Sequence, residues 1–208
     1  MKVIISGITN AFYRHCIGAF EIDTGKRLRL CPAYTGPNFT YLSPPDQFWP
    51  TESGFLLGTI WEIEGYEAKN LRPPHVEDYI VTSRRQIGSH NVSDYMKAQS
   101  PSWSGNMRNL FDGRLREHNG KFYVSHSDTI QPPQSTGEWK SDRQFRFENG
   151  RYIFTALQKE CSVAYVGIQA PLESIPTGTL LRFSLAKPWR GTGMDDYRCY
   201  LQLSGWFL

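Results

Sequence analysis

The chain has 208 residues, enough for one domain or two small ones. Charged residues make up 21% and the formal net charge is +3, which excludes a disordered polyelectrolyte and permits, without demanding, a polyanionic partner. No apolar run reaches the ~18 residues of a membrane-spanning helix, and an aromatic content of 14% leans the composition towards sheet.

In chain order, Met1-Lys2-Val3-Ile4-Ile5-Ser6 is too short an apolar run for a signal peptide and reads as a strand that starts at once. Residues 17–22 and 27–32 flank Asp23-Thr24-Gly25-Lys26 as the arms of a hairpin. The second arm alternates, placing Arg27 and Arg29 on one face and Leu28 and Leu30 on the other. Residues 32–54 hold five prolines and read as a long loop. Residues 55–64 predict a strand, Pro73-Pro74 a rigid turn, residues 79–82 a strand, and residues 93–99 a short helix capped by Ser93. Residues 100–120 shift to Gly, Asn and Ser, the composition of a boundary. Strands are then predicted at 121–125, 144–148, 151–155, 161–168, 179–185 and 197–207, with Asn149-Gly150 the strongest hairpin signal. Cys16, Cys31, Cys161 and Cys199 form no CxxC pair, so a zinc ribbon is excluded and reduced thiols in a cytoplasmic protein are expected.

Roughly five short strands per half suit two small Greek-key barrels of the oligonucleotide/oligosaccharide-binding (OB) type, with one larger sandwich as the rival. Four blocks carry a resemblance that agrees. They are Arg14-His15-Cys16-Ile17-Gly18-Ala19-Phe20 with Gly25-Lys26-Arg27-Leu28-Arg29-Leu30, then Pro73-Pro74-His75-Val76-Glu77-Asp78, then Leu181-Arg182-Phe183-Ser184-Leu185-Ala186-Lys187-Pro188-Trp189, and Arg198-Cys199-Tyr200-Leu201-Gln202-Leu203-Ser204-Gly205-Trp206-Phe207. In this order they resemble the prokaryotic family of dual OB-containing domains. The resemblance implies tandem OB barrels and a binding role, and identifies no catalytic residue. The expected architecture is all-β: an OB-like barrel at residues 1–95, a short helix or irregular linker at 96–112, and a second OB-like barrel at 113–208.

An OB face that binds single strands needs cations for the backbone and ring faces for the bases. Arg14, His15, Lys26, Arg27, Arg29 and Tyr34, with Phe12 and Tyr13, supply both in the first half, although solvated strand residues would look the same. Arg84-Arg85 reads as a basic lip or as ordinary linker charge. In the second half Arg146 and Arg151 flank the Asn149-Gly150 turn, and Trp189 with Arg190 stands in a Gly-rich loop that offers a stacking platform.

The expected function is a non-catalytic module that binds single-stranded or unpaired DNA or RNA, serving as an adaptor in a prokaryotic assembly such as a defence system. No cofactor, metal or membrane is expected, and a protein partner is. Two alternatives stand beside it. Asp46, Glu67 and Lys69 follow the order of PD-(D/E)xK metal-dependent nucleases, but without the helix-flanked sheet such sites need. The barrel faces could equally serve protein–protein interaction. His75-Val76-Glu77-Asp78 offers metal-ligand types but reads as well as a structural turn.

Overall fold

Strand β1 (Lys2–Ala11) buries Val3 and Ile5, and a bulge between Ile5 and Gly7 shifts the alternation so that Ile8 continues on the buried side. It returns antiparallel as β2 (Arg14–Glu21), and β2 as β3 (Arg27–Pro32) through a turn in which Gly25 takes φ +70°. The computed structural model describes residues 1–11, 13–33, 47–69, 71–100, 102–156 and 158–208. Strand β4 (Thr59–Glu67) pairs antiparallel with β1 and with β5 (Asp78–Ser89), and β5 runs parallel to β3. The ring closes in the order β1-β2-β3-β5-β4. Five strands in a ring cannot alternate direction throughout, so one neighbouring pair must be parallel, and here it is β3 with β5. The interior is filled by Val3, Ile5, Ile8, Ile17, Leu28, Leu30, Trp49, Phe55, Trp61, Ile63, Tyr79 and Val81.

Two expectations for this half are corrected, the start of a strand and the cap of the helix. The strand predicted from residue 55 starts at Thr59, because Gly58 turns the chain at φ +81° and sits where a Cβ would lie 2.3 Å from His90 O. Gly65 lies within β4 at a bulge, where a Cβ would meet Ile80 O at 1.9 Å. The helix α1 (Val92–Gln99) is capped by Asn91 rather than Ser93: its side-chain oxygen accepts from Ser93 N at 2.9 Å and Asp94 N at 3.3 Å.

The chain divides into two units, one of Met1–Leu71 and Glu77–Ser100, the other of Arg72–Val76 and Pro101–Leu208. Residues 96–112, expected as a linker, hold the end of α1, the short strand β6 (Ser102–Trp103) and most of a 3-10 segment (Met107–Gly113). Met107, Leu110 and Phe111 of that segment are buried in the core of the second unit.

The second unit continues with β7 (Arg116–His118), β8 (Lys121–Ser125), β9 (Thr136–Lys140), β10 (Phe145–Glu148), β11 (Arg151–Ala156), β12 (Lys159–Tyr165), β13 (Ser174–Ile175), β14 (Leu180–Leu185) and β15 (Arg198–Phe207). Their order is β13-β10-β11-β12-β15-β14-β9-β6, with β8 joined to β15 and to β7. If β9 and β10 are taken as one strand interrupted at residues 141–144, the path β10-β11-β12-β15-β14-β9 repeats the ring of the first unit. The parallel β12/β15 contact stands where β3/β5 does. Trp139, Phe145, Tyr152, Phe154, Phe183 and Trp206 fill this core, with Phe145 and Phe154 rings 4.7 Å apart. Both units are thus OB barrels in tandem, the second an open, curled version of the first.

All four cysteines are free thiols, and Cys16 is the partly exposed one. Burial pushes the Cys199 thiol up to about 12 and raises that of Cys161 as well. A group this high stays protonated, and only the thiolate reacts. Native protein at pH 8 should therefore take up an alkylating reagent at Cys16, and at Cys161 and Cys199 only after unfolding. Peptide mass mapping checks this, and labelling of Cys199 in the native state would contradict it. Among the described residues no helix is long and apolar enough to cross a membrane.

Candidate functional site

Most of the basic residues singled out in the first unit are engaged locally. Arg14 Nη1 donates to Phe48 O at 3.4 Å, and His15 exchanges two backbone hydrogen bonds with Trp49, at 2.8 and 2.9 Å. Lys26 forms an exposed ion pair with Glu67. Arg27 lies over the Phe20 ring at 5.1 Å. Arg29 donates from Nε and Nη2 to the two carboxylate oxygens of Asp78, each at 2.5 Å. Burial pulls the Arg29 pKa down, but the hydrogen bond to Asp78 and nearby negative charge outweigh it and hold the guanidinium firmly charged. Phe12, Tyr34 and Asp46 lie outside the described residues.

Arg84, read as part of a basic lip, is not on a lip. Its cross-strand partner is Ile63, and its guanidinium lies 4.3 Å from the Trp49 ring, 4.5 Å from Phe55 and 5.6 Å from Trp61. Burial without a carboxylate lowers its pKa. Its neighbour Arg85 pairs with Glu62 at 2.7 Å. In the turn weighed as a metal site, His75 Nε2 lies 3.2 Å from Leu185 O and Asp78 accepts from Arg29. Among the described residues no group of three or more His, Cys, Asp and Glu is placed to hold a metal ion.

The second unit brings its candidates together. On β15 the side chains alternate: Cys199, Leu201 and Leu203 are buried, while Arg198, Tyr200 and Gln202 face outward. The first residues of β15 pair with β8 and the next ones with β12, so β8 and β12 fork away from it. A cleft of about 250 Å³ opens at that fork, lined among others by Lys121, Arg151, Ser162, Trp189, Tyr200 and Gln202. It lies on the face of the second and third barrel strands, beside the loop between the fourth and fifth, which is where OB folds take ligands.

Arg151 and Trp189 each have a visible support in the cleft. Arg151 Nε donates to Ser162 Oγ at 2.9 Å, which orients the guanidinium across β12. Burial lowers its pKa, and no carboxylate among the described residues lines the cleft. Glu148, the next side chain beyond Arg151 on β10, turns to Arg146 at 2.7 Å. Trp189 is 56% exposed. Its backbone is held by two hydrogen bonds with Arg198, at 3.1 and 2.8 Å, and its ring centroid lies 6.2 Å from that of Tyr200. Gly191 allows the indole to lie down, since a Cβ there would stand 2.6 Å from Trp189 Cη2. Arg190 sits over the Tyr197 ring at 5.0 Å, away from the cleft lining.

Of the residues singled out in the sequence, then, Arg151 and Trp189 meet in one site, while Arg146 and Arg190 stand outside it. Lys121, Ser162, Tyr200 and Gln202 belong to it and were missed. The alternation of β15 marks Tyr200 and Gln202 as outward-facing, but the fork that makes outward-facing residues into a cleft has no local signal.

A closed five-stranded barrel followed by a second sheet of the same strand order defines a tandem OB protein. The chain belongs to the family of dual OB-containing domains, whose model matches residues 1–206. No curated protein matches it in sequence. Among solved structures it is similar to the p204 HINb domain, with 14% identity, 98% of this chain and 95% of that one covered, and a TM-score of 0.34. A murine DNA binding protein bound with ds DNA gives 13% identity, coverage of 98% and 91%, and a TM-score of 0.29. At these scores the likeness carries no argument about this chain.

Proposed function

We propose that the chain binds nucleic acid in single-stranded or unpaired form, through the cleft between β8, β12 and β15, as a module without chemistry of its own. One observation carries this reading: Lys121 and Arg151 share a cleft with no carboxylate among the described residues, beside a half-exposed, rigidly held Trp189. Two uncompensated cations fit phosphates, and an indole with an open face fits a base. A duplex hides its base faces, so the indole favours an unpaired strand.

The test is fluorescence anisotropy with short labelled DNA and RNA strands at 50 and 200 mM salt. Each phosphate contact to a single strand contributes about −0.7 to the slope of log affinity against log salt. The native chain should show a slope of about −1.4, and Arg151→Ala should reduce its magnitude by about 0.7. Absence of binding at 50 mM salt, or an unaltered slope in Arg151→Ala, overturns the proposal.

We place this module in the cytoplasm, as an adaptor within a larger prokaryotic assembly such as a defence system. The resemblance to the dual OB-containing family supports that setting. Recovery of a defined protein partner with the native chain, lost on deletion of the partner gene, would test it.

A further inference from the structure

We infer that Gln202 reads the edge of the base lying on Trp189 and gives the cleft a preference for adenine. The inference rests on the proposed binding of an unpaired strand and adds to it a residue that selects among bases.

Gln202 sits on a continuous rung of the sheet. Its neighbour on β12 is Ala164, the neighbour of Ala164 on β11 is Arg151, and on the other side of Gln202 stands Ser184 of β14. Strands lie ~4.8 Å apart, so Arg151 and Gln202 face each other across roughly 10 Å of sheet with only an alanine methyl between them. Small side chains on both flanks leave the amide standing clear. Tyr200, which carries the Trp189 ring, is two residues back on the same face, about 7 Å along the strand. That is close to the width of a base. A base stacked on Trp189 would present its edge to Gln202 while its phosphate lies towards Arg151 and Lys121.

The amide is also unengaged. Two other half-buried glutamines of this unit are hydrogen-bonded: Gln131 Nε2 donates to Ser125 O and Asp128 O at 2.9 and 2.8 Å, and Gln169 Nε2 donates to Trp206 O at 3.1 Å. Among the described residues the Gln202 side chain makes no hydrogen bond, although it is half-buried in a cleft. It lines the open cleft, so its donor and its acceptor are both free to meet a ligand. A carboxamide presents one donor and one acceptor side by side. When unpaired, adenine and cytosine both offer the complement, an exocyclic amino donor next to a ring-nitrogen acceptor, and glutamine pairs with adenine through two hydrogen bonds. Of the two, adenine is the purine and has the larger face for the indole, so the cleft favours it.

The experiment uses labelled pentamers dT-dT-N-dT-dT, with N as dA, dC, dG or dT, at 50 mM salt and with the full chain. The dA-centred strand should bind about tenfold more tightly than the dT-centred one, as expected for one bidentate contact. In Gln202→Leu that ratio should fall several-fold, to the part that the larger purine face alone supplies. Gln202→Glu carries two acceptors and no donor, and should move the preference to dG, whose unpaired edge presents two adjacent donors, the ring N1–H and the N2 amino group. This second variant keeps a polar side chain on the strand, so it answers the question if the leucine variant does not fold. Equal affinities for all four pentamers overturn the role of Gln202 while leaving the binding cleft in place, as does an adenine preference that survives undiminished in both variants. No binding of any pentamer overturns the cleft itself.

Discussion

Replacing Arg29 by alanine is expected to cost about 3–5 kcal/mol of folding stability, the range for breaking a buried ion pair by removing one partner. Arg29 and Asp78 have side-chain exposures of 15% and 4%. They occupy directly paired positions on β3 and β5, the one parallel contact in the ring. The guanidinium donates to both carboxylate oxygens, so its loss leaves a buried carboxylate with neither counter-charge nor donor from that side. Asp78→Ala should cost a similar amount by stranding the guanidinium. Replacing both residues with apolar ones of similar volume should recover part of the loss, since a paired charge and a hydrophobic pair are often close in energy. Urea unfolding followed by tryptophan fluorescence measures all three variants. A loss below about 1 kcal/mol in Arg29→Ala would show that the pair behaves as an exposed one. This matters for function as well: Arg29 looks like a binding residue in the sequence, and a binding assay on its alanine variant would report a weakened barrel.

Removing the Trp189 ring should have the opposite signature, a large loss of binding with little loss of stability. A base stacked on an aromatic side chain is worth about 1–3 kcal/mol, so Trp189→Ala should weaken binding of short single strands by roughly 5- to 150-fold. The indole is 56% exposed and contributes little to the core, while the backbone beneath it is held by Arg198. Trp189→Phe should retain part of the affinity, because the smaller ring still offers a face. Gly191→Ala is a complementary probe. It keeps the ring and pushes it from its seat, because the new Cβ falls 2.6 Å from Cη2. Unchanged affinity in Trp189→Ala would remove the stacking role. A large fall in thermal stability would instead return the residue to the core.

The two residues differ in how they look in the sequence and in what the fold makes of them. Arg27 and Arg29 were correctly placed opposite Leu28 and Leu30, because a strand's two faces follow from a period of two. The same rule exposes Tyr200 and Gln202 and buries Cys199, Leu201 and Leu203. Glycines were less legible: Gly65 resembles a turn residue, yet it marks the point where β4 meets the backbone of Ile80. Arg84 shows the limit most clearly. Beside Arg85 it reads as surface charge, and only barrel closure brings Trp49, Phe55 and Trp61 around its guanidinium.

The strand-rich character, the hairpins and the tandem repetition were therefore contained in the order of residues, since alternation, turn chemistry and capping depend on near neighbours along the chain. Which cations are neutralised and which stay open was not. The charge of Arg29 is paired by a residue 49 positions away, and that of Lys26 by one 41 positions away. Arg151, in contrast, meets Lys121, Trp189 and Gln202 from four separate segments at the fork of β8 and β12 on β15. Those meetings follow from parallel and long-range strand pairing, whose partners leave no mark in any local period.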